Sequence, residues 1–398
     1  MKHFSFWLSC LLVHALLAQS SGSITQGAGT ITTNDLMQSC PSNHITPLGK
    51  ITSTDNKQWV VPAETNFLTA NKLSDLYNSC NNIIPNSMTN VDITSVPITT
   101  VDENGEIITG YIFADNYFEL YINGVLIGVD AIPFTPFNSS IVRFKVSRPY
   151  TIAVKLVDWE ENLGLGSEIQ SPTKLFHPGD GGFIAQFSDG IVTDSSWKAQ
   201  SFYIAPIEDL NSVQELANGT HSTTTATVTP SCNANCYGIH YEVPSQWISS
   251  DFNDSNWPNA KLYAASQVTN QPAYTNFANT AWDKANFIWS SNLILDNLVL
   301  ARKTVSNSVG VKHDQRKNSL KINNPIGSAI NFQYDGIPGI FQVQLLNTTG
   351  TEIQSWTSVS LLDNSLTSLQ INQELKPGLY FLIIKNEAEY WRYKIVKE

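Results

Sequence analysis

Charged residues are scarce in this sequence. Asp, Glu, Lys and Arg make up 14% of 398 residues, and 23 basic side chains face 34 acidic ones for a formal net charge of −11. Nucleic acid and anionic membrane surfaces are held by Lys and Arg, so a chain this short of cations is not built for either partner. Long apolar runs are missing beyond residue 17, and none approaches the roughly 20 residues a spanning helix needs. No transmembrane segment is expected. No GxSxG or comparable nucleophile signature occurs. His177 and His240 lack a spaced second ligand, so each is expected to be a loop histidine. Helical periodicity is rare as well. Only residues 69–79, TANKLSDLYNS, set apolar side chains (Leu73, Leu76, Tyr77) at helical spacing, which predicts one short helix.

Aromatics, by contrast, make up 11% of the chain, and Ser, Thr, Asn and Gly separate short runs of strand formers. This is the composition of an extracellular β protein. The start agrees with that compartment. Lys2 and His3 precede the apolar run 4–17, and Ala18, Gln19 and Ser20 supply a cleavage site, so residues 1–20 read as a signal peptide. Cys10 falls inside that run, leaving Cys40, Cys80, Cys232 and Cys236. In an exported chain these predict two disulfides, with three connectivities open and Cys40–Cys80 plus Cys232–Cys236 the simplest. A zinc site at Cys232 and Cys236 is the alternative, but no second close Cys/His pair accompanies it.

Residues 21–95 are expected to be an irregular segment packed on the domain that follows. Residues 96–305 hold closely spaced strand signals: 107–113, 117–122, 141–146, 150–157, 183–187 and 298–305, separated by Gly, Pro, Asn and Asp turns. The clearest is the hairpin in GYIFADNYFELYINGVLIG (110–128), whose Asn123-Gly124 loop suits a type I′ turn. That register sets Ile122 opposite Val125 and Leu120 opposite Ile127 on one dry face, and turns Tyr117, Glu119 and Tyr121 the other way. On this reading Glu119→Gln leaves stability nearly unchanged. A polar stretch at 306–318 reads as a linker, and a compact β unit at 319–398 ends the chain.

Three blocks resemble the galactose-binding-like β-sandwich, the jelly-roll module of many secreted glycosidases and adhesins. They are the ADNYFELYINGVLIG hairpin, the 181–200 block with Thr193, Asp194, Trp197 and Lys198, and WISSDFNDSNW at 247–257, where Asn253 replaces an aspartate. The order of the blocks differs from that family's, which leaves one permuted or interrupted jelly roll, or two incomplete sheets that cooperate. The resemblance implies an all-β antiparallel jelly-roll sandwich that hosts carbohydrate binders, protein binders and spacers alike.

Candidate chemistry is thin. Tyr117, Glu119 and Tyr121 would make a sugar platform if open to solvent, with Trp159 and Trp197 as further stacking candidates; packed under another segment, they are cross-strand pairs. Asp158, Glu160 and Glu161 form the densest carboxylate group. It reads as a solvated acidic loop, a calcium loop or, most boldly, a glycosidase pair. Asn138, Asn218 and Asn253 stand in glycosylation sequons.

The last eighty residues carry the most specific resemblance. Asn324-Pro325, Asn347-Thr348-Thr349-Gly350, Leu375-Lys376-Pro377-Gly378-Leu379-Tyr380 and a basic final strand follow the order of the type IX secretion sorting domain of Bacteroidetes, a small Ig-like β-sandwich. The resemblance implies engagement of the type IX machinery, then release or attachment to surface lipopolysaccharide. The whole therefore reads as a secreted or surface-held, non-catalytic binding protein with carbohydrate as the expected ligand. A glycan hydrolase and a protein-binding adhesin are the alternatives.

Overall fold

The computed structural model describes residues 22–37, 40, 46–159, 180–216, 218–227, 235–306, 320–334, 339–361, 365–386 and 390–398. The chain is all-β and divides into two compact units, Met1–Asn307 and Ser308–Glu398. The expected signal peptide, Glu160, Glu161, His177 and Cys232 lie outside the described residues, as does the expected linker except for Ser306.

Two seven-stranded sheets build the first unit. One runs Ser23–Gln26, Tyr237–His240, Lys198–Ile207, Asp296–Val305, Tyr150–Val157, Tyr117–Ile122, Val125–Val129. The other runs Lys261–Tyr263, Phe287–Trp289, Gly182–Phe187, Glu106–Asp115, Ser139–Val146, Ser74–Tyr77, with Ile98–Thr100 pairing parallel to Ser139–Val146. The core between them takes Phe118, Leu120, Ile122, Ile152, Val154 and Leu156 from the first sheet and Ile112, Val142, Phe144 and Ile184 from the second.

A second core lies on the other face of the first sheet. Tyr117, Tyr121, Ala153, Val157 and Leu300 meet Ile51, Val61, Ala63, Phe67, Tyr241 and Trp247 there. The central strands are therefore covered on both sides, which is why Tyr117–Ile122 is buried at every position and carries apolar or aromatic side chains on both faces. The expected dry face is there, and the face carrying Tyr117, Glu119 and Tyr121 is dry as well.

The hairpin turn has positive φ at Asn123 (49°) and Gly124 (80°). Ile122 pairs with Val125, but Leu120 faces Gly128 rather than Ile127, because the register shifts by one residue between Leu120 and Tyr121. The shift makes Ile127 the extra residue of a bulge, and its side chain still joins the inter-sheet core. A Cβ at Gly124 would meet nothing closer than 3.7 Å, so the first cost of Gly124→Val is in the backbone. It is expected to cost about 1–2 kcal/mol through left-handed φ, measurable by urea unfolding; a neutral result would remove the turn from the account.

Residues 69–79 do not form the expected helix. Ser74–Tyr77 is a strand paired with Ser139–Ile141, and Leu76 enters the inter-sheet core. Cross-strand pairing and burial of Leu76 outweigh a helical spacing carried by three side chains. The segment before it is less irregular than expected, since Ser23–Gln26 is an edge strand of the first sheet and Thr30–Thr33, Leu48–Thr52 and Gln58–Val61 form a small sheet. Cys40 and Cys80 are disulfide-bonded across 40 residues, a loop whose closure stabilises the fold by about 4 kcal/mol in the chain-entropy account. Cys236 is disulfide-bonded too.

The second unit packs the strands Leu320–Ile322, Ala329–Tyr334 and Ser365–Gln370 against a four-stranded sheet ordered Glu352–Leu361, Gly339–Leu346, Gly378–Lys385, Tyr390–Lys397. Ile330, Phe332, Tyr334, Phe341, Val343, Leu382, Ile384 and Ile395 fill its own core.

Candidate functional site

The strand Tyr117–Ile122 brings its three polar-faced residues together as the alternation requires, but inside the second core. Glu119 has no exposed surface. Its Oε1 accepts from the backbone N–H of Asn66 (2.5 Å) and Tyr117 Oη (3.2 Å), and its Oε2 accepts from Asn66 Nδ2 (2.8 Å) and Tyr121 Oη (2.6 Å). Lys155 Nζ, on the neighbouring strand, stands 3.3 Å from Oε2 and donates to Glu64 O at 3.0 Å. Burial pushes the carboxyl up; Lys155, Tyr121 and Asn66 more than offset it, and Glu119 sits below the usual carboxylate range. Both tyrosines are pushed up, chiefly by burial and then by the charge of Glu119.

This cluster fastens residues 64–66 to the sheet. It is packed under another segment, the cross-strand alternative, and the ligand-binding role of Tyr117, Glu119 and Tyr121 is corrected: stacking on a sugar needs an exposed ring face, and Tyr117 and Tyr121 are buried. Trp159 lies in the same core, edge-on to Tyr117, with its backbone N–H donating to Asn116 Oδ1. Trp197 is placed elsewhere, between the two sheets, with its Nε1 donating to Val192 O at 2.8 Å. Of the expected calcium or catalytic loop, only Asp158 is described, and it is buried beside Trp159. Among the described residues no three His, Cys, Asp or Glu side chains gather as metal ligands. His240 is corrected from loop to core: it stacks on Tyr203 at 4.3 Å and meets Thr25 Oγ1 at 2.9 Å.

The residue the motifs missed is Arg302, which is 1% exposed. Its Nε donates to Asp254 Oδ2 at 2.9 Å; NH1 donates to Trp247 O, and NH2 to Ser249 O (3.0 Å) and Phe252 O (3.4 Å). One guanidinium thus holds the whole 247–254 turn, and its planar fork of donors suits that task in a way an ammonium does not. Lys198 adds a bond to Trp257 O at 3.0 Å. Asp254 and Lys198, each within a block that carried the family resemblance, are therefore fasteners between turn and sheet.

Asp130 is a second missed group. It is fully buried and accepts from Asn138 Nδ2 (2.6 Å) and Ile132 N (3.2 Å), which also makes Asn138 a core residue rather than an open sequon. Burial pushes the carboxyl up to about 8, against those hydrogen bonds, and Asp75 adds to the rise. From its unfolded value of 3.8 up to about 8, the folded chain keeps a proton that the unfolded chain has lost, so stability falls as pH rises. His240 acts oppositely: burial holds it at about 3, so its contribution is complete above 6.5 and is lost as pH falls below that. Asp296 is raised by burial and shares the sign of Asp130. Asp130→Asn keeps an acceptor for Asn138 and is expected to remove about 2 kcal/mol of the stability lost from pH 6.5 to 8. Urea midpoints across that range measure it, and an unchanged slope would place the titration elsewhere.

In the second unit each element of the C-terminal pattern has a structural task. Asn324 Oδ1 accepts from Val396 N at 2.7 Å, and Ile326 N donates to Val396 O at 2.8 Å, so the Asn-Pro segment lines the final strand. Asn347 Oδ1 accepts from Thr349 N (3.0 Å), Thr349 Oγ1 (2.7 Å) and Thr351 N (2.9 Å), closing the turn whose Gly350 has φ 84°. Leu375 is in the core, and Tyr380 Oη donates back to Lys376 O at 2.8 Å. Residues 323–398 match the family described as secretion system C-terminal sorting domain. The tail is a sorting domain. It directs the chain through the type IX machinery, so the protein is secreted or attached to the outer cell surface.

The sorting domain accounts for the end of the chain. No curated protein matches the chain. Among solved structures, β-glucuronidase from Ruminococcus gnavus is 11% identical over 74% of this chain and 33% of its own, with a TM-score of 0.16. The BSP domain of a biofilm-associated protein is 9% identical over 96% and 67%, with a TM-score of 0.17. The β-D-glucuronidase of Dictyoglomus thermophilum is 10% identical over 95% and 44%, with a TM-score of 0.14. The chain spans about a third of the Ruminococcus enzyme, and likenesses at these scores carry no argument about activity.

Proposed function

We propose that the sorted chain is a non-catalytic binding protein of the cell exterior, and that its ligand is carbohydrate. Among the described residues, the observation that supports the non-catalytic half is the use made of the buried carboxylates. Glu119, Asp130 and Asp296 are closed to solvent and held by internal donors, whereas glycoside hydrolysis needs two carboxyl groups flanking a bond the substrate brings to them. The carbohydrate half is supported by the three blocks similar to galactose-binding-like modules and by the outer-surface destination of the chain. The jelly-roll reading of the first unit belongs to the same proposal.

The full-length chain tested on a glycan array and on chromogenic glycosides is expected to bind glycans and release no chromophore. Turnover that survives purification, or an array without a single bound glycan, would overturn the reading.

A further inference from the structure

The turn between Leu48–Thr52 and Gln58–Val61 carries a group that no motif marked. Trp59 is half-buried. Its ring stacks on His240 at 5.0 Å and 21° between planes, and His240 stacks in turn on Tyr203. The indole Nε1–H donates to Ser53 Oγ at 3.0 Å. Asp55 accepts from Ser53 Oγ and, at 2.7 Å, from Ser23 Oγ. Lys57 Nζ stands 3.2 Å from Glu242 Oε1, 4.0 Å from Asp55 Oδ2 and 5.8 Å from the centroid of the Trp59 ring. The Lys57, Asp55 and Glu242 side chains are 50%, 45% and 72% exposed.

An indole backed by two stacked rings and tied at its nitrogen is already ordered, so little freedom is lost when a ligand covers it. An aromatic face accepts the apolar C–H face of a pyranose, and carboxylates and an ammonium at its rim bond ring hydroxyls. Lys57 now lies over the ring, but exposed ion pairs and exposed cation–π contacts hold a lysine weakly. Asp55 is fixed by two serine hydroxyls and keeps open surface. One ammonium between two carboxylates leaves the patch net negative, which disfavours uronic and sialic acids. We propose that Trp59, Asp55, Lys57 and Glu242 form a binding site for a neutral pyranose unit of a glycan. The inference rests on the carbohydrate reading above and gives it an address.

The test uses the full-length chain on an array that displays neutral oligosaccharides, ending in galactose, glucose, mannose or N-acetylglucosamine, beside sialylated and uronic ones. Wild type is expected to bind neutral glycans. Trp59→Ala is expected to weaken binding at least about tenfold, the scale of a lost ring contact. Asp55→Asn, at a half-exposed position that leaves the fold intact, is expected to weaken it about tenfold. Lys57→Ala is expected to leave it equal or tighter, because the ring is uncovered. If wild type binds no glycan, the functional reading fails and this site with it. If wild type binds and both Trp59→Ala and Asp55→Asn bind equally well, the site alone is wrong. Binding confined to acidic glycans and lost in Lys57→Ala would overturn the neutral-sugar assignment.

Discussion

Glu119→Gln is expected to destabilise the first unit by about 3–5 kcal/mol, the range found when one partner of a buried ion pair is removed. The amide puts an NH2 where one carboxylate oxygen now receives donors, and the two oxygens serve Asn66, Tyr117 and Tyr121 between them. It also strips Lys155, whose side chain is 14% exposed, of its counter-charge. The alternation pattern alone leads to the opposite expectation, a nearly silent change, because it places Glu119 on the face away from Leu120 and Ile122. Urea unfolding decides between the two. A shift below about 1 kcal/mol, the scale of a surface pair, would mean that residues 64–66 do not close over the strand.

Arg302→Met should cost a similar amount, about 3–5 kcal/mol. Methionine fills much of the volume but donates nothing, so Asp254 and the carbonyls of Trp247, Ser249 and Phe252 lose their shared partner. Arg302→Lys should recover only part of the loss, since three donors on a point charge cannot reproduce the fork. The loss is also local: amide exchange in residues 247–257 should quicken before the rest of the sheet. Uniform exchange across the unit would show that the turn is held by something other than the guanidinium.

The strands and the Asn-Gly turn were legible because their signals are local. Alternation in 141–146 and 150–157 and a loop that demands positive φ need no knowledge of distant residues. The sorting domain was legible for the same reason, since its Asn347 turn and its Tyr380–Lys376 bond are made within a few residues. What escaped depended on the second layer. Whether Tyr117 and Tyr121 face water is decided by residues 51–67 and 241–247, far away in sequence, which cover the outer face of the sheet. Strand alternation gives the face on which a side chain lies but not what covers that face. The helix expected at 69–79 failed likewise, because Ser74–Tyr77 pairs with a strand more than sixty residues on and Leu76 enters the inter-sheet core. Arg302 carries no motif of its own; it becomes visible only when the turn at 247–254 is seen lying over it.

The measurement that tests the central claim most directly is cell fractionation of the native host, comparing full-length protein with a form that ends before Leu320. The two units have separate cores, so the shortened chain is expected to fold and to keep its resistance to protease. It should nevertheless collect in the periplasm, while the full-length protein reaches the cell surface or the medium. The shortened, folded protein appearing outside the cell would contradict the account.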